Sequence, residues 1–245
     1  MKFVLNSGEF TMTQFIRNFV FLLTFTVFIL TIQVSAQLEG NPDNFCRNGA
    51  FPRESKDFRL ARITGKKGDR VYFYGDERED CPGGKDCRLK SYVIAGDEVI
   101  VSRTFGDYAC GWFQPVKGAE TVGWIKSENL EILEPNRNPS VGNWLGEWRF
   151  YDNSVEITTS KTRGSFVVTG NATWKGLGDN VHVGELDESV KPVENLLKLG
   201  ENDNEEYACK VSMWLLGKYL VVSDNLRCGG LNVTFSGVYQ KKLKK

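Results

Sequence analysis

The side chains able to do chemistry in this chain are one histidine, His182, six cysteines and two acidic runs. A Ser–His–Asp or Cys–His catalyst needs a histidine held beside its nucleophile. His182 sits in an alternating run, Asn180 to Gly184 (NVHVG), which predicts a solvent-facing strand residue and no catalytic role. Zinc sites need close cysteine pairs or partnering histidines. The tightest cysteine spacing, Cys81 to Cys87, has five residues between, so no metal centre is expected. Asp76 to Asp80 (DERED) and Glu201 to Glu206 (ENDNEE) fall in loop-like sequence. The second lacks the central glycine and spaced glutamate of a calcium loop, and both read as solvated turns. Carboxylate pairs of the glycosidase kind are defined in space and leave no sequence signature. Nothing here calls for a cofactor.

Cys46, Cys81, Cys87, Cys110, Cys209 and Cys228 are better read as bridges. Phe19 to Val34 is an apolar run after Arg17, closed by Val34-Ser35-Ala36, the layout of a secretory signal cut before Gln37. Residues 1–36 are then removed, leaving no stable membrane span, and residues 1–11 look like an upstream extension of a signal starting at Met12. An exported chain lets disulfides persist. If each side of a linker pairs internally, Cys209–Cys228 is forced and the other four have three options. Among these, Cys81–Cys87 with Cys46–Cys110 is favoured, because Pro82-Gly83-Gly84 can fold the short loop back. The 31 basic and 31 acidic residues balance, which excludes the clustered positive field of a nucleic-acid binder.

These groups must be positioned by strands. Asp69 to Tyr74, Ser91 to Ile94, Asp97 to Ser102, Tyr108 to Phe113 and Thr121 to Ile125 are short β-branched and aromatic runs between turn residues. After Glu134 to Asn143 (EPNRNPSVGN), a polar Pro- and Asn-rich link, a second series begins with Trp144 to Trp148. It continues through Ser154 to Thr159, Gly164 to Trp174, Val181 to Leu186, Tyr207 to Trp214, Tyr219 to Ser223 and Leu231 to Tyr239. The fold class is all-β: an N-terminal arm at 37–59, a small barrel at 60–133, a linker at 134–143, an antiparallel barrel or sandwich at 144–240 and a basic tail at 241–245.

Tyr92 to Val101 (YVIAGDEVIV), followed by Gly123 to Leu130 (GWIKSENL), resembles the second half of a bacterial SH3-like domain. That resemblance covers roughly residues 60–133 and implies an SH3-like barrel binding wall peptide, glycan or an envelope protein partner. It implies aromatic contacts drawn from Tyr72, Tyr74, Tyr92, Trp112 and Trp124, although in so small a barrel core filling is the favoured reading of Trp124. The chain departs from the family in its cysteine loop, Glu77 to Leu89. Gly146-x-Trp148 resembles the opening strand of lipocalin-like and avidin-like barrels, here in reduced form. Asp224 to Tyr239 resembles the end of uncharacterised exported bacterial proteins, some grouped with lysozyme inhibitors. The Ser236-Gly237-Val238-Tyr239 run is one residue short of the inhibitory loop. The expected function is non-enzymatic binding in the envelope, periplasmic or secreted; hydrolase inhibition is the alternative, and an unrecognised hydrolase a third.

Overall fold

Alternating burial builds two antiparallel sheets in the computed structural model, which describes residues 42–53, 55–201 and 205–242. The signal-like segment and the last three residues lie outside the described residues. In the first sheet the strands are β1 (Arg59–Ile63), β2 (Arg70–Tyr74), β3 (Arg88–Ile94), β4 (Glu98–Phe105), β5 (Tyr108–Phe113), β6 (Thr121–Lys126) and β7 (Leu130–Ile132). Their spatial order is β3-β2-β6-β5-β4-β1-β7. A 3-10 turn, Ser127–Asn129, reverses the chain after β6 so that β7 pairs with β1. Side chains two apart share a face. Val71 and Phe73 therefore point inward with Val93, Val99, Val101 and Ile125, while Arg70 and Tyr72 point out. At Gly123 a Cβ would stand 3.0 Å from the Tyr74 carbonyl oxygen, so a larger residue there would press β2 away from its partner β6.

The second sheet is an eight-strand meander that nearly closes into a barrel. Its strands are β8 (Gly146–Phe150), β9 (Asn153–Thr159), β10 (Phe166–Lys175), β11 (Val181–Val190), β12 (Leu196–Leu199), β13 (Val211–Leu216), β14 (Tyr219–Asp224) and β15 (Gly237–Lys241). The last strand returns to the first, with Gln240 opposite Arg149 and Lys241 opposite Trp148. The open seam runs between β11 and β12, which adjoin without a ladder. Trp144, Trp148, Phe166, Phe235 and Tyr239 fill the interior, making it a packed core. The Trp148 indole N–H donates to the carbonyl of Trp144 at 2.9 Å, fixing the helical turn Val141–Trp144 that ends the exposed link.

The two sheets share apolar surface. Leu216, Tyr219, Val221 and Val238 of the second cluster with Ile100 and Trp112 of the first and with Phe58 of the arm, and the Trp112 and Tyr219 rings meet edge to face at 5.2 Å. The described residues fall in one compact unit. Among the described residues no helix is long and apolar enough to cross a membrane.

Three local expectations are corrected. Leu231 to Ser236 is not strand: Asn232 takes φ 67, and the Asp224 carboxylate collects the Phe235 N–H at 2.7 Å, the Thr234 hydroxyl at 2.8 Å and the Ser236 hydroxyl at 2.9 Å. The loop so held sends Val233 and Phe235 into the barrel. Tyr207 to Lys210 is also irregular, and β13 begins at Val211. His182 does not face water with its neighbours; it shares the inward phase of Gly184 and Leu186, while Val181 and Val183 are the exposed residues.

Candidate binding surface

The three disulfides are Cys46–Cys110, Cys81–Cys87 and Cys209–Cys228, the favoured pairing, and they suit an oxidising, exported environment. Two of them organise the arm. Cys46 staples it to β5, and beside the staple the Arg47 guanidinium grips the buried Asp76 carboxylate with contacts of 2.8 and 2.9 Å. The Cys46 N–H donates to the same carboxylate at 2.7 Å. The cysteine loop clamps the arm from above, through an Asn44 side-chain amide that donates to the Cys81 carbonyl. Under this arm lies Trp124, with no exposed surface, its indole N–H donating to the Asn44 carbonyl at 2.7 Å.

The structure therefore divides the five aromatic residues singled out in the sequence. Trp124 is covered by the arm, and Trp112 is buried where the two sheets meet. Tyr74 is half-buried, its ring edge to face with Tyr108 at 5.2 Å. Tyr72 and Tyr92 stand together on the outer face of the β2–β3 hairpin, directly opposite one another in register. Their centroids are 5.8 Å apart and their planes are inclined by 60°, and Tyr92 keeps 40% of its surface exposed.

Sequence reasoning missed the cations that complete this surface. The Arg70 guanidinium lies 4.5 Å from the centre of the Tyr92 ring, and that of Arg88 lies 4.6 Å from the centre of Tyr72. Arg70 follows from period two, since it precedes Tyr72 by two residues. Arg88 reaches its ring through a register shift between Tyr72 and Tyr74, which leaves Arg88 opposite Tyr74. A shift of that kind has no sequence signature. The outcome is an Arg–Tyr–Tyr–Arg array on an edge hairpin, with Lys90 exposed beside it. Stacking on an aromatic face holds a guanidinium while leaving its N–H edge free for hydrogen bonds.

The other chemistry-bearing groups are engaged structurally. His182 lies against the Trp174 ring at 5.2 Å, and its Nδ1 faces the Leu231 carbonyl at 2.5 Å. Asp80 neighbours Cys81 and Cys87, but both sulfurs are bonded to each other, and Asp80 pairs with Arg78 at 3.0 Å. Ser236 and Tyr239 are buried, the latter donating its hydroxyl to the Phe235 carbonyl at 2.9 Å. Burial pushes the Tyr239 phenol well above its usual range. Glu120 faces the Trp112 indole N–H and the Tyr151 hydroxyl across the junction of the sheets. Burial raises its pKa, and the two donors it faces pull in the opposite direction. Near the open end of the second barrel, Thr159, Ser160, Ser165 and Glu194 line a recess of about 380 Å³.

No known protein family, curated protein or solved structure matches this chain.

Proposed function

We propose that this chain is a non-enzymatic, exported binding protein of the cell envelope, periplasmic or secreted, whose first sheet is an SH3-like barrel recognising wall peptide, glycan or an envelope protein. The observation that carries this reading is the outward Tyr72–Tyr92 pair, flanked by stacked guanidiniums on a hairpin whose opposite face is core. An aromatic pair left at the surface gives flat apolar area at little cost in side-chain entropy. The SH3-like assignment is supported by the turn at Gly96 before β4 and by the 3-10 turn that returns β7 to β1. A binding role also fits the engaged state of the reactive groups: His182 is held by Trp174 and a carbonyl, and no described cysteine is free.

Co-sedimentation with purified peptidoglycan tests the proposal. The protein should pellet with the wall fraction, and a Tyr72→Ala/Tyr92→Ala double variant with an unchanged melting temperature should stay in the supernatant. Wild-type protein that stays in the supernatant and crosslinks to no envelope partner would overturn it.

A further inference from the structure

We infer that the β2–β3 face takes an acidic glycan, a linear polysaccharide bearing carboxylates, an inference that rests on the envelope-binding reading and names its ligand class. Charge is the first argument. Strands β2 and β3 contain Arg70, Arg88 and Lys90 and no acidic residue. None of these three cations pairs with a carboxylate among the described residues, whereas Arg47, Arg59, Arg62, Arg78, Arg137 and Arg149 all do. The acids nearest in sequence are engaged by other groups: Asp69 accepts from the Lys66 N–H, Asp97 from the Ile94 N–H, and Asp86 pairs with Arg78. An exposed face that has lost its own counter-charges favours an anionic partner.

Shape and stacking narrow the class. The face is an open, twisted hairpin at the sheet edge, which suits an extended chain lying across it. Tyrosine rings offer flat apolar area for the C–H faces of pyranose rings, and guanidiniums match carboxylates with two parallel N–H bonds. Because Arg70 and Arg88 are already stacked on Tyr92 and Tyr72, less side-chain freedom is lost when the anion binds. An alditol-phosphate polymer has no ring faces for the tyrosines. An acidic peptide has carboxylates on flexible stems and no regular flat surface. An acidic sugar chain supplies both features.

Isothermal titration calorimetry of the full protein with polygalacturonate, against its methyl-esterified form, polyphosphate and polyglutamate, provides the test. Polygalacturonate should bind at least tenfold more tightly than any of the three and weaken as salt is raised. Arg70→Gln/Arg88→Gln should lose at least tenfold in affinity with an unchanged melting temperature. Arg70→Lys/Arg88→Lys should also lose severalfold, since lysine keeps the charge but not the planar fork. Equal binding of the methyl ester, of polyphosphate or of polyglutamate overturns the inference, as does full affinity in the Gln double variant. Pelleting with peptidoglycan without polygalacturonate binding removes this inference alone; polygalacturonate binding without wall or envelope association removes the envelope reading and leaves the ligand class standing.

Discussion

The Trp124 indole N–H and the Asn44 carbonyl, 80 residues apart in sequence, are joined by a 2.7 Å hydrogen bond that closes the arm over the first sheet. The bond explains why Trp124, in the middle of β6, is wholly buried: the ring fills the space between sheet and arm, and its one polar atom meets the arm's backbone. Trp124→Ala should cost about 3–5 kcal/mol by cavity formation. Trp124→Phe, which keeps most of the ring and orphans the buried carbonyl, should cost about 1–3 kcal/mol. Urea denaturation of the two variants measures both; a loss below about 1 kcal/mol for the alanine variant would contradict this packing.

The three disulfides should differ in worth according to the loops they close. Their sequence separations are 64 for Cys46–Cys110, 19 for Cys209–Cys228 and 6 for Cys81–Cys87. Chain-entropy reasoning gives about 4, about 3 and about 2 kcal/mol respectively. Paired Cys→Ser variants should therefore lose melting temperature in that order. The Cys46–Cys110 variant should also increase protease cleavage within residues 42–58, because the arm then depends on the Arg47–Asp76 pair, the hydrogen bonds of Asn44 and apolar contacts. If the Cys81–Cys87 variant is the least stable, loop closure is not what these bonds supply.

Asp224 gathers the loop before β15, and its removal should be costly. Its carboxylate accepts from Thr234, Phe235 and Ser236, and from the Leu226 N–H at 3.3 Å. Asp224→Ala leaves buried donors without an acceptor, at about 1–3 kcal/mol for each one that cannot find water. The same loop carries Val233 and Phe235 into the barrel, so the variant should also expose apolar surface to a reporter dye. A variant as stable as wild type, with no added dye binding, would mean the loop is held by packing alone.

How much of this was legible from sequence depends on the range of the force at work. Strands β2, β5 and β6 were readable because a short β-branched and aromatic run between turn residues is a local pattern, although burial alternates along β2 and runs continuously through the middle of β5 and β6. The first and seventh strands escaped, since RLARI and LEI are short and charged and become strands by pairing with each other and with β4. The run Leu231 to Ser236 alternates like a strand yet is loop, because the Asp224 carboxylate takes the Phe235 N–H and the Thr234 and Ser236 hydroxyls in place of a ladder. Tyr72 and Tyr92 could be named from composition but not separated from Trp112, whose burial is decided by a second sheet; for Trp124 core filling was the favoured reading, while the distant arm that covers it was not legible. The cysteine pairing was readable because loop length and the polar link cut the options to a few.

Glu120 sets a pH dependence opposite to that of Glu147. Burial raises the Glu120 pKa above the ordinary 4.5, so the folded state holds its proton more tightly than the unfolded chain. Its unfavourable contribution is absent below the ordinary value and grows as pH rises through the folded one. Glu120→Gln, which keeps an acceptor for Trp112 or Tyr151, should therefore stabilise the protein at pH 7, with the advantage disappearing below about pH 4. Glu147 runs the other way: hydrogen bonding to Lys242 first, then to Arg149, holds its pKa below 4.5. Its contribution is present above the ordinary value and lost as pH falls through the folded one. Melting curves of Glu120→Gln and Glu147→Gln across pH 3–8 should diverge from wild type in opposite directions at neutral pH; parallel curves would show that neither carboxyl is coupled to folding.

The contact of Trp112 with Tyr219 bears on cooperativity. These rings meet edge to face at 5.2 Å inside a cluster whose members come from both sheets and from the arm, including Phe51 and Phe58. Phe58 in turn packs edge to face on Trp214 at 5.0 Å. Separating the sheets would expose this apolar surface to water, at about 25 cal/mol for each Å². Neither sheet should then melt alone, and calorimetry should show one transition in which the calorimetric and van't Hoff enthalpies agree. Tyr219→Ala cuts only the shared cluster, because its ring points away from the second barrel's own core. That substitution should lower the melting temperature and split the transition in two, with the sheets uncoupled. Two resolved transitions in the unmodified protein would show instead that the linker at 134–143 joins independent domains.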